Sequence, residues 1–72
     1  MQIAAIKMDG SWTVAHPHGR AGRFATAPDA LQAAARLAAD ARGKGHDVGL
    51  FLHADNGQLV RVEPGDPRLR GG

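Results

Sequence analysis

From Ala27 to Arg42 the chain carries its single stretch of helical period, and the apolar side of that helix is nearly all alanine. At about 100° per residue, Leu31, Ala34, Leu37, Ala38 and Ala41 gather on one side, with Asp29, Gln32, Arg36 and Asp40 in a polar stripe opposite. Alanine lets a helix axis approach a sheet closely but contributes little buried area. The sheet must therefore bring the bulk, and Trp12, Val14, Val48, Leu50, Leu52, Val60 and Val62 are available for it. The ends of the helix are also written locally. Thr26 is placed as N-cap, Asp29 completes a weak capping box, and Pro28 is tolerated in the first turn. Phe24 is placed to pack back on the first turns as a hydrophobic staple does, and Arg36 and Asp40 are spaced to pair. Gly43 is expected to stop the helix at the C′ position.

On either side of the helix the period changes to two. Gln2–Lys7 reads as a strand whose two isoleucines, Ile3 and Ile6, have opposite parity; a bulge or burial on both faces would reconcile them. Asp9-Gly10 signals a hairpin into Trp12–His16, a second strand ended by Pro17. The following segment to Arg23, rich in Gly, Pro and Arg, reads as a loop. Val48–Ala54 and Leu59–Glu63 form a second hairpin, with Asn56-Gly57 expected as a type I′ turn. The fold class expected is α+β: a single ββαββ domain over residues 1–63, one helix packed on a four-stranded sheet. Residues 64–72 are expected to form a solvated, mobile tail.

Size and composition narrow the chemistry. The chain has 72 residues and no cysteine, which removes disulfides and thiolate metal sites. Nine basic and seven acidic residues leave a net charge of only +2, and the aromatics are Trp12, Phe24 and Phe51 alone. A nucleic-acid surface normally needs a clustered basic face with stacking aromatics, so that class is disfavoured. No apolar run reaches the ~20 residues of a membrane span, and the first residues do not read as a signal peptide, so a cytoplasmic protein is expected. Enzyme chemistry is poorly supplied. Ser11, Thr13 and Thr26 are the only hydroxyls, and no segment offers a nucleophile, base and orienting acid together. Gly19–Arg23 lacks the spacing and the lysine of a phosphate loop. His16-x-His18 has metal-like spacing, but zinc would require His46, His53 or an aspartate to converge on it; no metal and no cofactor are expected. His53 reads as a strand histidine. Arg20 and Arg23 are candidates for holding an anionic partner.

Two features point to partners. If Val48, Leu50 and Leu52 face the helix, Phe51 falls on the open sheet face, joined by Leu59 and Arg61 if Val60 and Val62 face in. Such an apolar patch is a candidate protein-binding face; the alternative is that loops or a second copy of the chain cover it. The second feature is the terminal Arg68-Leu69-Arg70-Gly71-Gly72. Two residues without Cβ can thread a narrow active site and present a carboxylate for activation.

That tail, with Met1-Gln2-Ile3 and Gly10, resembles the ubiquitin family. The resemblance implies a β-grasp topology with the first and last strands parallel at the centre. It also implies conjugation through Gly71 and Gly72, and recognition of Arg68, Leu69 and Arg70 by an activating enzyme or protease. The interior is similar to another group, small bacterial domains of unknown function. It shares their tryptophan strand at Gly10–Val14, capped helix after Phe24-Ala25-Thr26, and final hairpin at Asn56-Gly57. Two expectations follow: a non-catalytic modifier or carrier acting through Gly72, or a protein-interaction module whose diglycine is incidental.

Overall fold

A computed structural model describes residues 1–63. The elements are β1 (Gln2–Met8), β2 (Ser11–His16), β3 (Gly19–Phe24), α1 (Ala27–Gly43), β4 (Gly49–His53) and β5 (Leu59–Arg61). They form one mixed sheet in the order β3-β2-β1-β4-β5, with α1 packed across one face. The class is α+β as the periodicities predict, but the sheet has five strands, not four.

The added strand is β3, the segment read as a loop. It has no apolar alternation to announce it. Backbone pairing with β2 holds it, with a register shift between Trp12 and Val14. The Thr13 hydroxyl lies within hydrogen-bonding distance of two β3 carbonyls, Gly22 at 2.8 Å and Ala21 at 3.3 Å. Gly22 takes φ +76°, and the Phe24 ring lies where its Cβ would be, with the nearest ring carbon 2.6 Å from that position. The positive φ favours glycine there, and a Cβ would also force the Phe24 ring to shift.

The central strand is β1, antiparallel to β2 and parallel to β4. Ile3 and Ala5 face α1 and are buried, while Ala4 and Ile6 sit on the other pleat face. The parity conflict of the two isoleucines is thus resolved by a strand that is apolar on both faces, as suits the centre of a sheet. Among the described residues the parallel partner of β1 is the first strand after the helix; the last strand, β5, is an edge. The first-and-last pairing of a β-grasp sheet is not the arrangement here.

Both turns follow from backbone conformation. Asp9 and Gly10 have φ +50° and +79°, the two positive values of a type I′ turn, closing Met8 onto Ser11. The β4–β5 connection is different from the type I′ expectation: only Gly57 is positive, at +85°. Its N–H donates to the Ala54 carbonyl at 2.9 Å, and the Ala54 N–H donates to Gln58 at 2.7 Å. This is the three-residue loop in which a glycine follows a tighter turn.

Thr26 caps α1 as expected, its Oγ1 accepting from the Asp29 N–H at 3.4 Å. The helix runs to Gly43, and the left-handed C′ residue is Gly45 at φ +91°. Gly45 N–H donates to Arg42 and His46 N–H to Ala41, the paired bonds of a Schellman cap. Asp40 pairs with Lys44 at 3.2 Å rather than with Arg36. Arg42 reaches the Val48 carbonyl at 2.9 Å and ties the helix end to the start of β4.

Ala30, Leu31, Ala34, Ala38 and Ala41 are the buried helix residues, set against Ile3, Ala5, Val14, Val48, Leu50 and Val62. Leu37 lies on the flank of the helix and is exposed, as is Val60, which sits on the strand farthest from α1. Trp12, Phe24 and Leu52 close the margins of the core.

Ala34 is fully buried where α1 meets the sheet. Ala34→Leu is therefore expected to cost about 1–3 kcal/mol by overpacking, measured by urea unfolding. Gly22→Ala is expected to cost a similar amount, about 1–3 kcal/mol, from its positive φ and the Phe24 contact. Wild-type stability in either variant would contradict the close helix approach or the Gly22 geometry.

Candidate functional site

The face of the sheet opposite α1 carries no covering element among the described residues. The registers of four strand pairs define a single row across it. Arg20 is opposite Ala15, Ala15 opposite Ala4, Ala4 beside Phe51, and Phe51 opposite Arg61. Four inter-strand spacings of about 4.8 Å put the two arginines about 19 Å apart across the face. Between them the row is apolar and shallow. Ala4 is only 8% exposed although it lies on the open face, because its neighbours shield so small a side chain. The Phe51 ring lies against Gly49, close enough that a Cβ there would come within 3.0 Å of it.

A second row runs beside the first. Ile6 is opposite Thr13, and His53 is opposite Leu59, which is 54% exposed. The predicted face residues Phe51, Leu59 and Arg61 are thus brought together on one surface. Arg61 is held by Glu63, Nε to Oε1 at 3.3 Å. At the far end, Arg23 Nε donates to Ser11 Oγ at 3.1 Å.

The residues that sequence reasoning missed are Ala4, Ala15 and the placement of Arg20. Arg20 reads from the sequence as a loop cation and, with Arg23, as a candidate for holding an anionic partner, but not as part of a row on the sheet. Nothing in Gly19–Arg23 marks a strand by period, so the far half of the row could not be aligned from sequence.

His53 has a structural task. Its Nδ1 accepts the Lys7 N–H at 3.2 Å, and its Nε2 lies 3.0 Å from the Gly57 carbonyl, which fits a proton on Nε2. One imidazole thereby continues the β1–β4 ladder past the end of β4 and pins the final loop. No general base is built around it. His16, His18 and His46 line a common hollow of about 210 Å³ together with Asp40. His16 and His18 have ring centroids 6.2 Å apart, and His16 Nδ1 accepts the His18 N–H at 3.3 Å. Among the described residues no three of the histidines and carboxylates are grouped so as to hold a metal ion.

The predicted tail residues Arg68, Leu69, Arg70, Gly71 and Gly72 lie outside the described residues. No helix among the described residues is long and apolar enough to cross a membrane. Comparison with known proteins returns no match: no family model, no curated protein and no solved structure matches the chain.

If the imidazole bonds hold the end of the sheet, His53→Ala should speed hydrogen exchange at the Lys7 amide and lower stability by about 1 kcal/mol. An unchanged Lys7 exchange rate would remove His53 from that role.

Proposed function

We propose that the chain is a non-catalytic protein-binding module that receives its partner on the open face of the sheet. The row Arg20–Ala15–Ala4–Phe51–Arg61 carries this reading. A shallow apolar strip with one aromatic anchor favours a protein surface, since aromatic side chains and arginine dominate the energetics of such contacts. The Arg20 guanidinium at one end favours a partner whose own apolar strip carries a carboxylate there; at the other end Glu63 already pairs with Arg61. The arginines would set orientation and association rate more than affinity. A single aromatic and few cations make the same face a poor track for nucleic acid, which relies on repeated stacking and a continuous basic groove.

The test is a photo-reactive benzoylphenylalanine placed at Phe51 and, separately, at Arg36 on the outer side of α1. The Phe51 position should yield discrete protein adducts in the source cell, and the Arg36 position should not. Arg20→Glu with Arg61→Glu should reduce the Phe51 adducts about tenfold or more. Equal labelling from both positions, or none from Phe51, would overturn the reading.

A second reading rests on the tail sequence Arg68-Leu69-Arg70-Gly71-Gly72. In it the Gly72 carboxylate is activated and joined to an amine, and the domain serves as the carried cargo. ATP-dependent adducts should then form in lysate and vanish when Gly72 is deleted, while the Phe51 adducts persist. Adducts indifferent to Gly72 would end the modifier reading alone.

A further inference from the structure

Asn56 is the only asparagine in the chain, and a glycine follows it. Both sit at the exposed tip of the loop between β4 and β5. Asparagine is among the chemically labile residues. Attack of the next backbone nitrogen on its side-chain carbonyl carbon closes a five-membered imide, and a glycine at that next position has no Cβ to obstruct the approach.

The loop both prepares this reaction and restrains it. The Gln58 N–H donates to Asn56 Oδ1 at 3.1 Å, an Asx turn. That bond bends the amide back along the chain and draws electron density away from Cγ, which makes the carbon a better electrophile. The restraint comes from the bonds on Gly57. Its N–H, the nucleophile, donates to the Ala54 carbonyl at 2.9 Å. Its carbonyl is held by His53 Nε2 at 3.0 Å, and the other nitrogen of that ring is fixed by the Lys7 N–H. In a type I turn the peptide after the second central residue is rotated away from that residue's Cβ. Ring closure needs it swung under Cβ, so the loop must open before the nitrogen can attack.

We propose that Asn56 is a self-modifying site, converted through a cyclic imide with Gly57 to isoaspartate or aspartate at a rate set by the His53 pin. This goes beyond the open-face reading and does not depend on it. The Gly57 nitrogen gives its proton to water and bonds to Asn56 Cγ. The Cγ–Nδ2 bond breaks, and the side-chain nitrogen takes up a proton and leaves as ammonia. Water then opens the imide, at the side-chain carbonyl to give aspartate or at the main-chain carbonyl to give isoaspartate. The balance is a water consumed and an ammonia released, with no oxidant or reductant. Isoaspartate routes the main chain through Cβ and lengthens the loop by an atom. The Gly57 N–H and carbonyl then no longer fall opposite Ala54 and His53, so the product releases the pin that had slowed its formation.

Aged in neutral buffer, the unaltered chain should accumulate isoaspartate and aspartate at position 56, read by peptide mass mapping and isoaspartyl methyltransferase labelling. His53→Ala, with an unchanged far-UV spectrum, should convert about fivefold faster, as expected when a local opening loses one hydrogen bond. In urea, where no loop is held, the two chains should convert at the same rate. Ala34→Leu weakens the core without touching the loop and should convert like the unaltered chain. The isoaspartyl form, once purified, should exchange its Lys7 amide faster than the unmodified chain. No conversion at position 56, or no acceleration by His53→Ala in the folded chain, would overturn the proposal. Equal acceleration by Ala34→Leu, or an unchanged Lys7 exchange rate in the isoaspartyl form, would overturn the role of the pin.

Discussion

Everything in this fold depends on how closely α1 can lie on β1. The contact is made from the smallest side chains: Ala30, Ala34 and Ala38 are fully buried, and on the sheet side Ala5 is too. With alanine on both sides the helix axis sinks toward the strands, and the larger residues Leu31, Val14, Leu50 and Val62 fill the space around that contact. Dispersion forces fall steeply with distance, so this close approach compensates for the small area each alanine contributes. The same logic explains the strict requirements at the helix ends. A helix held by small side chains has little lateral grip, and its position is set by Thr26 at one end and by the Gly45 cap and Arg42 at the other.

One helix of 17 residues cannot shield a five-stranded sheet on both sides, nor reach across its full width. α1 packs on β1, β2, β3 and β4. Within the strands, the apolar residues it leaves uncovered are therefore not scattered. They fall on the opposite face, at Ile6 and Phe51, and on the far strand, at Leu59 and Val60. The choice of an alanine-faced helix and the presence of two uncovered surfaces are one constraint seen from two sides. A bulkier helix would stand farther off the sheet and spread wider; this one trades breadth for proximity.

How much of this was legible in the sequence differs by element. The helix and the hairpin at Asp9-Gly10 were legible because their signals are local: a 3.6 period, a capping threonine, a turn that needs positive φ. The orientation of Phe51, Leu59 and Arg61 was legible because parity along a strand decides it. The strand β3 was not, because its pairing is a backbone matter and its residues are Gly, Arg and Ala. With it went the row on the open face, which needs β3 to place Arg20 beside Ala15. Strand order was not legible either. Turn residues determine which strands form hairpins but not which hairpin edges meet, and the parallel β1–β4 contact is a long-range choice made by core packing. The Asn56-Gly57 turn shows the limit of a strong dipeptide signal: the glycine is used as expected, but a loop longer by one residue frees Asn56 from positive φ.

The edges extend that argument. Glycines and a register shift make β3 hard to recognise in sequence, and the same features make it hard for another strand to recognise in space. Its cations add charge repulsion between copies. At β5 the opposite holds: the strand is regular and exposed, easily read by period, and its protection among the described residues is its length of only three residues.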